Sequence, residues 1–280
     1  MNMRFRKMQG CGNDYIYVDT FTQEIPASVR SELAVRLSDR HFGIGSDGLI
    51  FINPSEIADF EMEMYNADGS RSEMCGNGIR CVARYVYDHK MTDQKSFTIE
   101  SFKKVKQIRI VSDMADDFLV RVDMGEPQLT SSLIPVVSDK ETVVDEEIVS
   151  GGVAYRMTCV SMGNPHAVLF EDPDRIDLPG VGRALEHHAA FPNRTNVEFV
   201  KIKDKEHVRM RVWERGTGET LACGTGCCAT AVACILNGYT GRRVFVEVLG
   251  GEIEVEWKEE DGHVYMTGPA VNVFDGEVSI

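Results

Sequence analysis

The chain has 280 residues, of which 43% are hydrophobic and 26% are charged, a composition typical of packed globular proteins and not of disordered ones. Its 44 acidic residues outnumber 30 basic ones, for a net charge of −14, which disfavours nucleic acid as a partner. No apolar run reaches membrane-spanning length, and the first residues lack the apolar core of a signal peptide. We therefore expect no membrane partner and a cytoplasmic location, where the eight cysteines stay reduced.

The first half of the chain predicts two helices among strands. The stretch ASVRSELAVRLSDR, residues 27–40, has helical periodicity. Alternation in DFEMEMYN, residues 59–66, predicts a strand with one face formed by Phe60, Met62, Met64 and Asn66. A second helical pattern follows Cys75, where apolar residues recur at i, i+3, i+4, i+7 and i+8, namely Ile79, Val82, Ala83, Val86 and Tyr87. FLVRVDMG, residues 118–125, predicts a further strand.

The second half predicts the same kinds of element. Strands are indicated by HVRMRVWERG, RVFVEVLG and GEIEVEW, residues 207–216, 243–250 and 251–257. A helical pattern follows Cys223, and Asn237-Gly238 is typical of a helix end. The stretch SSLIPVVSDKETVVDEE, residues 131–147, fits either outer strands of the second half or a connection.

One motif occurs twice in the chain. Cys75-Gly76-Asn77-Gly78 matches Cys223-Gly224-Thr225-Gly226, and the upstream Met64-Tyr65-Asn66 matches Val212-Trp213-Glu214 at the same distance. GNDYIYVD, from Gly12, similarly resembles GNPHAVLF, from Gly163. The chain is thus an internal duplication of a mainly β unit with a central helix, which predicts two facing domains with a boundary near residues 118–128.

Each repeated cysteine stands at the start of a predicted helix. The helix dipole there favours the thiolate, so we expect the pKa of Cys75 and of Cys223 to fall below the usual value of about 8.5. The free N–H groups of the same helix starts can bind a carboxylate.

The remaining cysteines are interpreted as core residues, since a lone cysteine usually behaves as a small hydrophobe; they are Cys11, Cys81, Cys159, Cys227, Cys228 and Cys234. Paired C-x-x-C spacing and a following H-x₃₋₅-H, which are typical of zinc sites, are absent from the sequence, and His187-His188 is interpreted as a surface pair, so we expect no metal. No Walker A or Rossmann fingerprint is present, which predicts no nucleotide cofactor. The sequence leaves open a lysine that binds pyridoxal phosphate, although no phosphate-binding loop is evident beside any lysine.

Two cysteine thiols in matched settings favour a reaction that acts on both faces of one carbon atom. Inverting a stereocentre requires a base on one side and an acid on the other, and the reverse reaction exchanges their roles. The weakly acidic Cα–H of an amino acid also requires stabilisation of the resulting anion, which two helix N-termini in a water-excluded cleft can provide.

Seven ordered blocks spanning the chain carry a resemblance to a known family: KMQGCGNDYIYVD, RHFGIGSDGLIF, YNADGSRSEMCGNGIRC, VSMGNPHAVLF, RTNVEFV, RVWERGTGETLACGTGCCA and MTGPAVNVFDGEV. In these blocks the sequence closely resembles diaminopimelate epimerase. The resemblance implies a cofactor-independent conversion of L,L-diaminopimelate to the meso form by two cysteines, feeding lysine and peptidoglycan synthesis.

The resemblance also implies an α/β (α+β) fold of two pseudo-symmetric domains, each a mainly antiparallel sheet or barrel around a central helix. The last strand of such proteins returns to the first domain. We therefore expect an N-terminal domain of residues 1–122 plus 268–280, a C-terminal domain of residues 123–267, an active site in the cleft between them, and a homodimer.

The family's functional residues are carried over position by position. Cys75 resembles its proton donor and Cys223 its proton acceptor, labels that depend on direction, and His166 and Glu214 resemble the residues that support the protonation states of the thiols. The substrate-binding positions of the family match Asn13, Asn66, Gly76, Asn77, Asn164, Asn196, Glu214, Arg215, Gly224 and Thr225. One departure is Gly48, where some members carry a glutamine that touches substrate; here that contact is lost, or is made by backbone or water.

Other readings remain open from the sequence. Proline or hydroxyproline racemases resemble this family in fold and also use two cysteines, but their first cysteine block typically has a histidine where Asn77 stands, and they need no clamp such as Glu214-Arg215. The phenazine-biosynthesis isomerases lack the cysteine pair. A catalytically silent binding or redox-sensing protein is a different class, and we expect a Cys75–Cys223 disulfide to form as an inactivating side reaction.

Overall fold

A computed structural model describes residues 2–72 and 74–280. The chain forms two compact units, one of Met1–Val122 with Gly268–Ile280 and one of Asp123–Thr267. No helix in the described ranges is long and apolar enough to cross a membrane.

The first unit contains two helices and a run of strands. In chain order its elements are β1 (Asn2–Gly10), β2 (Asn13–Asp19), α1 (Ala27–Ser38), β3 (Gly48–Asn53), β4 (Phe60–Asn66), β5 (Arg71–Ser72), α2 (Gly76–Asp88), β6 (Ser96–Ser101), β7 (Lys104–Met114) and β8 (Asp117–Gly125), whose end leads into the second unit.

The second unit repeats this sequence of elements. After a 3₁₀ helix (Ser131–Leu133) come β9 (Glu146–Ser150), β10 (Val153–Ser161), β11 (Pro165–Leu169), α3 (Leu178–Glu186), β12 (Asn196–Ile202), β13 (His207–Glu214), β14 (Gly218–Thr220), α4 (Gly224–Leu236), β15 (Arg243–Val248), β16 (Gly251–Trp257) and β17 (Val264–Pro269). The last strand, β18 (Val271–Ser279), belongs to the first unit again.

Strand pairing follows one pattern in both units. The order in the first is β18-β1-β2-β3-β4-β6-β7-β8, with β2–β3 and β4–β6 parallel and the other pairs antiparallel. The order in the second is β9-β10-β11-β12-β13-β15-β16-β17, with the parallel pairs β11–β12 and β13–β15 in the same places. The predicted internal duplication and mixed, mainly antiparallel fold are confirmed.

The central helix of each unit is buried along most of its length, from Gly76 to Val86 in α2 and from Gly224 to Cys234 in α4. Helix α4 has apolar residues all round, as expected for a helix enclosed by strands. Helix α2 instead carries two buried arginines. Arg80 donates to the carbonyl of Pro269 at 3.1 Å and Arg84 to that of Ala270 at 2.7 Å, so the returning segment satisfies charges that would otherwise be costly to bury.

The helix and strand predictions are confirmed at every predicted element, with one helix missed. Helix α1 ends at Ser38, two residues before the end of its predicted stretch. Helix α3 was not predicted because Pro179, Gly180 and Gly182 in its first half obscure the helical pattern. Residues 131–147 form mostly a connection, and Ile134, Val136 and Val143 in it pack into the core of the second unit.

Candidate active site

Cys75 is the N-cap residue of α2. Its backbone is extended, with φ −131° and ψ 110°, and its sulfur accepts a hydrogen bond from the N–H of Gly78 at 3.2 Å. The N–H of Asn77 also faces the sulfur. The first turn of the helix therefore directs backbone N–H groups at the sulfur of Cys75, a residue of intermediate exposure.

Asn13, at the start of β2, joins this group. Its Oδ1 lies 3.3 Å from the Cys75 sulfur and accepts from the amide of Asn77 at 3.3 Å. Its Nδ2 donates to Asp47 at 2.7 Å, and Asp47 is held in turn by Arg40 at 2.9 Å. The sequence-predicted residues Asn13, Cys75 and Asn77 thus lie together in the first unit.

Tyr15, also on β2, completes the surroundings of Cys75. It is only 5% exposed, and it lies on the same face of β2 as Asn13, where the phenol and the Cys75 thiol each influence the pKa of the other. Burial and the neighbouring thiol raise the pKa of Tyr15 well above its usual value, so it remains a neutral phenol at neutral pH.

Cys223 caps α4 in nearly the same conformation, with φ −119° and ψ 111°. Its sulfur lies 3.5 Å from the hydroxyl of Thr225, which accepts from Asn164 Nδ2 at 3.2 Å. Asn164 Oδ1 in turn lies 3.0 Å from Nε2 of His166, and Nδ1 of His166 lies 2.6 Å from Oε1 of Glu198. A continuous set of polar contacts therefore connects Cys223 to a fully buried imidazole–carboxyl pair.

A second group in the same unit surrounds the turn after β13. Asn196 accepts from the N–H of Arg215 at 2.9 Å and donates to the carbonyl of Pro165 at 2.9 Å. Glu214 accepts from the hydroxyl of Thr220 at 2.5 Å. The side chain of Arg215 is exposed and donates to the carbonyl of Asn193 at 3.2 Å, which leaves a cation at the surface of the turn.

The expected lowering of the pKa of Cys75 is wrong for this structure. Burial is the largest influence and raises the pKa, while the N–H groups of Gly78 and Asn77 and the hydroxyl of Tyr15 lower it without cancelling the rise. A helix terminus contributes about 0.3–1 kcal/mol, less than one pKa unit, whereas burial moves a pKa by up to several units.

The same prediction is wrong for Cys223, by a wider margin. Burial raises the pKa of Cys223 well above its usual value, and the carboxylates of Glu214 and Glu198 raise it further. The two repeated thiols therefore share a backbone setting but differ in charge environment.

A sequence model of the family described as diaminopimelate epimerase matches residues 5–130 and 158–273. The chain belongs to the diaminopimelate epimerase family. A protein named diaminopimelate epimerase from Methanococcus maripaludis is 54% identical over 99% of this chain and 100% of its own. Another protein of that name, from Acetivibrio thermocellus, is 52% identical over 99% of both chains.

Solved structures of similar fold include a probable proline racemase from Agrobacterium radiobacter, with a TM-score of 0.72 at 14% identity over 99% of this chain and 93% of that one. This likeness concerns the fold alone.

Asn66 and Gly48, two family positions, lie opposite each other on the paired strands β3 and β4. The amide of Asn66 donates to the hydroxyl of Ser70 at 3.0 Å. A Cβ at residue 48 would lie 2.1 Å from the carbonyl oxygen of Tyr65 and 2.9 Å from Cε1 of Tyr15. A side chain at residue 48 would therefore require the backbone of β4 and the ring of Tyr15 to shift.

Two residues of the site were missed by sequence reasoning. Tyr15 could have been found from the duplication, because it occupies the fourth position of GNDY as His166 does in GNPH. Glu198 could have been found as a lone acidic residue within the apolar stretch NVEFV, whose residues are buried from Asn196 to Val200.

The interpretation of the other six cysteines as core residues is confirmed, since each is buried. Burial raises the pKa of Cys81 to about 11 and that of Cys234 to about 12. Within residues 2–72 and 74–280, no group of three or more His, Cys, Asp or Glu side chains could hold a metal ion.

Proposed function

We propose that this protein converts L,L-2,6-diaminopimelate to the meso form, with Cys75 and Cys223 as the two acid–base residues. The observation that carries the proposal is the equivalent placement of both thiols at the N-caps of α2 and α4, in a chain that belongs to the diaminopimelate epimerase family. The product would serve lysine and peptidoglycan synthesis.

The proposed reaction moves two protons. One thiolate removes the proton from the substrate Cα, and the opposing thiol delivers its proton to the other face of the same carbon. The sulfurs exchange protonation states, and the reverse reaction restores them. This requires the two units to hold one substrate carbon in the cleft between them.

Backbone N–H groups at both helix starts are suited to the negative charge that develops on the substrate carboxylate. Gly76-Asn77 and Gly224-Thr225 would supply these donors. The raised thiol pKa values make the thiolate a minor form before binding, and the ammonium group of the substrate would favour it once bound beside the sulfur.

The distal end of the substrate carries a second amino-acid group. The exposed guanidinium of Arg215 suits its carboxylate, and Glu214 suits its ammonium group. The amides of Asn13, Asn66, Asn164 and Asn196 provide both donors and acceptors. In the second unit His166 would support the protonation state of Cys223 through Asn164 and Thr225, the contacts described above.

The test is turnover of L,L-diaminopimelate in D₂O. A two-base reaction places solvent deuterium at the inverted carbon of the meso product while the recovered substrate remains unlabelled at early times. Cys75→Ala and Cys223→Ala should each reduce epimerisation by at least about 10³-fold. Cys81→Ala in α2 and Cys234→Ala in α4 are matched controls that should retain it. Near-normal epimerisation by either active-site variant would overturn the two-base assignment.

Proline is the comparison substrate. A proline racemase would invert it, whereas we expect no labelling of proline by this protein, because proline has no distal group for Glu214-Arg215 to bind. A silent binding protein would label neither substrate.

We also propose that catalysis needs no cofactor. Activity should therefore survive EDTA, which removes metal ions, and hydroxylamine, which removes pyridoxal phosphate.

We further propose a homodimer in the cytoplasm, as the family resemblance implies. Sedimentation at micromolar concentration tests the oligomeric state. Eight cysteines present as free thiols suit a reducing compartment.

A further inference from the structure

The two units carry chemically different residues at one equivalent strand position before the repeated cysteine. The first unit has a tyrosine there and the second has a histidine. Gly12-Asn13-Asp14-Tyr15 aligns with Gly163-Asn164-Pro165-His166. The pairing agrees, since Tyr15 lies opposite Gly48 on β3 just as His166 lies opposite Asn196 on β12. Tyr15 is therefore the counterpart in the first unit of the histidine that supports the second thiol.

The position of Tyr15 on β2 places it beside the thiol. Its ring is buried, and it follows Asn13 by two residues, so both side chains lie on the same face of the strand. Asn13 itself lies 3.3 Å from the same sulfur. With the N–H of Gly78 at 3.2 Å, the sulfur meets polar groups from both β2 and α2.

Gly48 provides the room for this arrangement. Any side chain there would begin with a Cβ 2.9 Å from Cε1 of Tyr15 and 2.1 Å from the carbonyl oxygen of Tyr65, closer than real Cβ contacts. The glycine and the tyrosine ring are thus a matched pair: the ring lies against the space that a residue-48 side chain would need.

We propose that Tyr15 is a positioning residue for Cys75, whose hydroxyl donates a hydrogen bond that favours the thiolate and fixes its direction. Its effect on turnover rests on the proposed function, but its effect on the thiol does not. No proton leaves Tyr15 in this role, because the phenol stays neutral throughout.

Other groups facing this thiol are accounted for. Arg80 of α2 lowers the pKa of Cys75, and Asp47, before β3, raises the pKa of Tyr15. Cys81, farther along α2, stays neutral because burial raises its pKa to about 11. Tyr15→Phe leaves Arg80, Asp47 and Cys81 in the protein, so a change in the titration of Cys75 reports the loss of the Tyr15 hydroxyl.

The experiment measures alkylation of Cys75 by iodoacetamide against pH in the full-length protein, with the Cys75 peptide quantified by mass spectrometry. Tyr15→Phe should raise the midpoint by about one pH unit and slow alkylation about tenfold below it, as loss of a hydrogen bond to a charged group implies. Tyr17→Phe is the control, because Tyr17 is buried on the same strand and directs its hydroxyl to the carbonyl of Gly78 at 3.4 Å. It should leave the midpoint unchanged.

Thermal unfolding checks that the variants are folded. Tyr15→3-fluorotyrosine, which has a more acidic phenol, should shift the midpoint down and gives a second measurement that keeps the ring. An unchanged midpoint in folded Tyr15→Phe would overturn the proposal, and so would an equal shift in Tyr17→Phe.

With L,L-diaminopimelate, Tyr15→Phe should lower kcat about tenfold with a smaller change in KM. If the unmodified protein does not turn over diaminopimelate, the proposed function fails while the alkylation result still decides the role of Tyr15.

Discussion

Cys75 and Cys223 share a capping conformation, yet their neighbours differ in charge. Cys75 faces the neutral Tyr15 and the cation of Arg80. Cys223 faces the carboxylates of Glu214 and Glu198. Because negative charge disfavours a thiolate, the free protein holds Cys223 more firmly as the thiol. In the proposed reaction this difference would favour Cys75 as the first base, with the substrate isomer that presents its proton to Cys75.

This asymmetry predicts two alkylation midpoints, with that of Cys223 above that of Cys75. Glu214→Gln removes one negative charge and should lower the midpoint of Cys223 by about one pH unit. The midpoint of Cys75 should not change, because the groups that dominate its pKa belong to the first unit, so it serves as the control within each sample. Peptide mass spectrometry against pH gives both values, and coincident midpoints would contradict the argument.

Glu198 makes a second residue-scale prediction, about stability. It is fully buried, and its Oε2 has no hydrogen-bond partner among the described residues. Glu198→Ala would leave a cavity and an unpaired Nδ1 on His166, so we expect a loss of about 3 kcal/mol in the free energy of unfolding. Glu198→Gln can keep a bond to that nitrogen and should lose about 1 kcal/mol.

Urea denaturation measures these losses. The control is Glu247→Ala, which breaks a surface pair with Lys203 and should cost less than about 1 kcal/mol. Equal losses for Glu198→Ala and Glu247→Ala would show that the imidazole–carboxyl pair contributes little.

At the residue scale, the sequence predicts which residues belong to the site better than it predicts the groups that surround them. The repeated motif located both cysteines, but the sign of their pKa shifts is set by burial, and Glu214 and Glu198 raise the pKa of Cys223 further. Tyr15 lies far from Cys75 along the chain, so the motif around Cys75 gives no sign that Tyr15 influences the pKa of this thiol.

The first turns of α2 and α4 each contain a glycine close to the thiol. A Cβ at Gly78 would lie 2.8 Å from Cδ1 of Ile50, whereas a Cβ at Gly226 would lie 2.9 Å from Oε1 of Glu198. Ile50 Cδ1 is the end of a flexible side chain and can turn away. Oε1 of Glu198 is held by His166 at 2.6 Å and has little freedom to move.

Equivalent substitutions in the two helices should therefore differ. Gly78→Ala should change the free energy of unfolding by less than about 1 kcal/mol, since the gain in helix propensity offsets the displacement of Ile50. Gly226→Ala should cost about 2 kcal/mol through overpacking and remove most activity. Urea denaturation and the deuterium assay measure both effects.

A double variant identifies the cause of the expected loss. If the clash is with Glu198, Gly226→Ala combined with Glu198→Ala should cost less than the sum of the single variants. Strict additivity would place the strain elsewhere in α4.

Helices and strands with clear hydrophobic periodicity were predictable from the sequence, whereas helix α3 was not. The patterns after Cys75 and Cys223 gave α2 and α4 because their apolar residues recur at helical spacing. Helix α3 begins Leu178-Pro179-Gly180, a sequence that is typical of a turn. The helix is stabilised by packing, because Leu178 and Leu185 are buried in the core of the second unit.

In the whole molecule, the chain closes its first unit with its last strand. β18 pairs with β1 from Asn2 opposite Ser279 to Gln9 opposite Val271. Phe274 of β18 packs edge-on against Phe5 of β1 with ring centroids 5.9 Å apart. In the second unit the equivalent place beside β10 is taken by β9, which precedes it in the chain, so only the first unit depends on a segment distant in sequence.

Ending the chain after Ala270 should therefore affect the two units unequally. Removal of β18 leaves the N–H and C=O groups of β1 without partners on one side and exposes Phe5, both unfavourable. Hydrogen exchange followed by mass spectrometry should show loss of protection in β1 and β2 while β12 and β13 keep theirs. The second unit is the control within the same molecule. The second unit suits this purpose because it is one continuous stretch, Asp123–Thr267. Equal loss of protection in both units would mean that the molecule unfolds as one cooperative body. Retained protection in β1 would mean that β18 contributes little to the first unit.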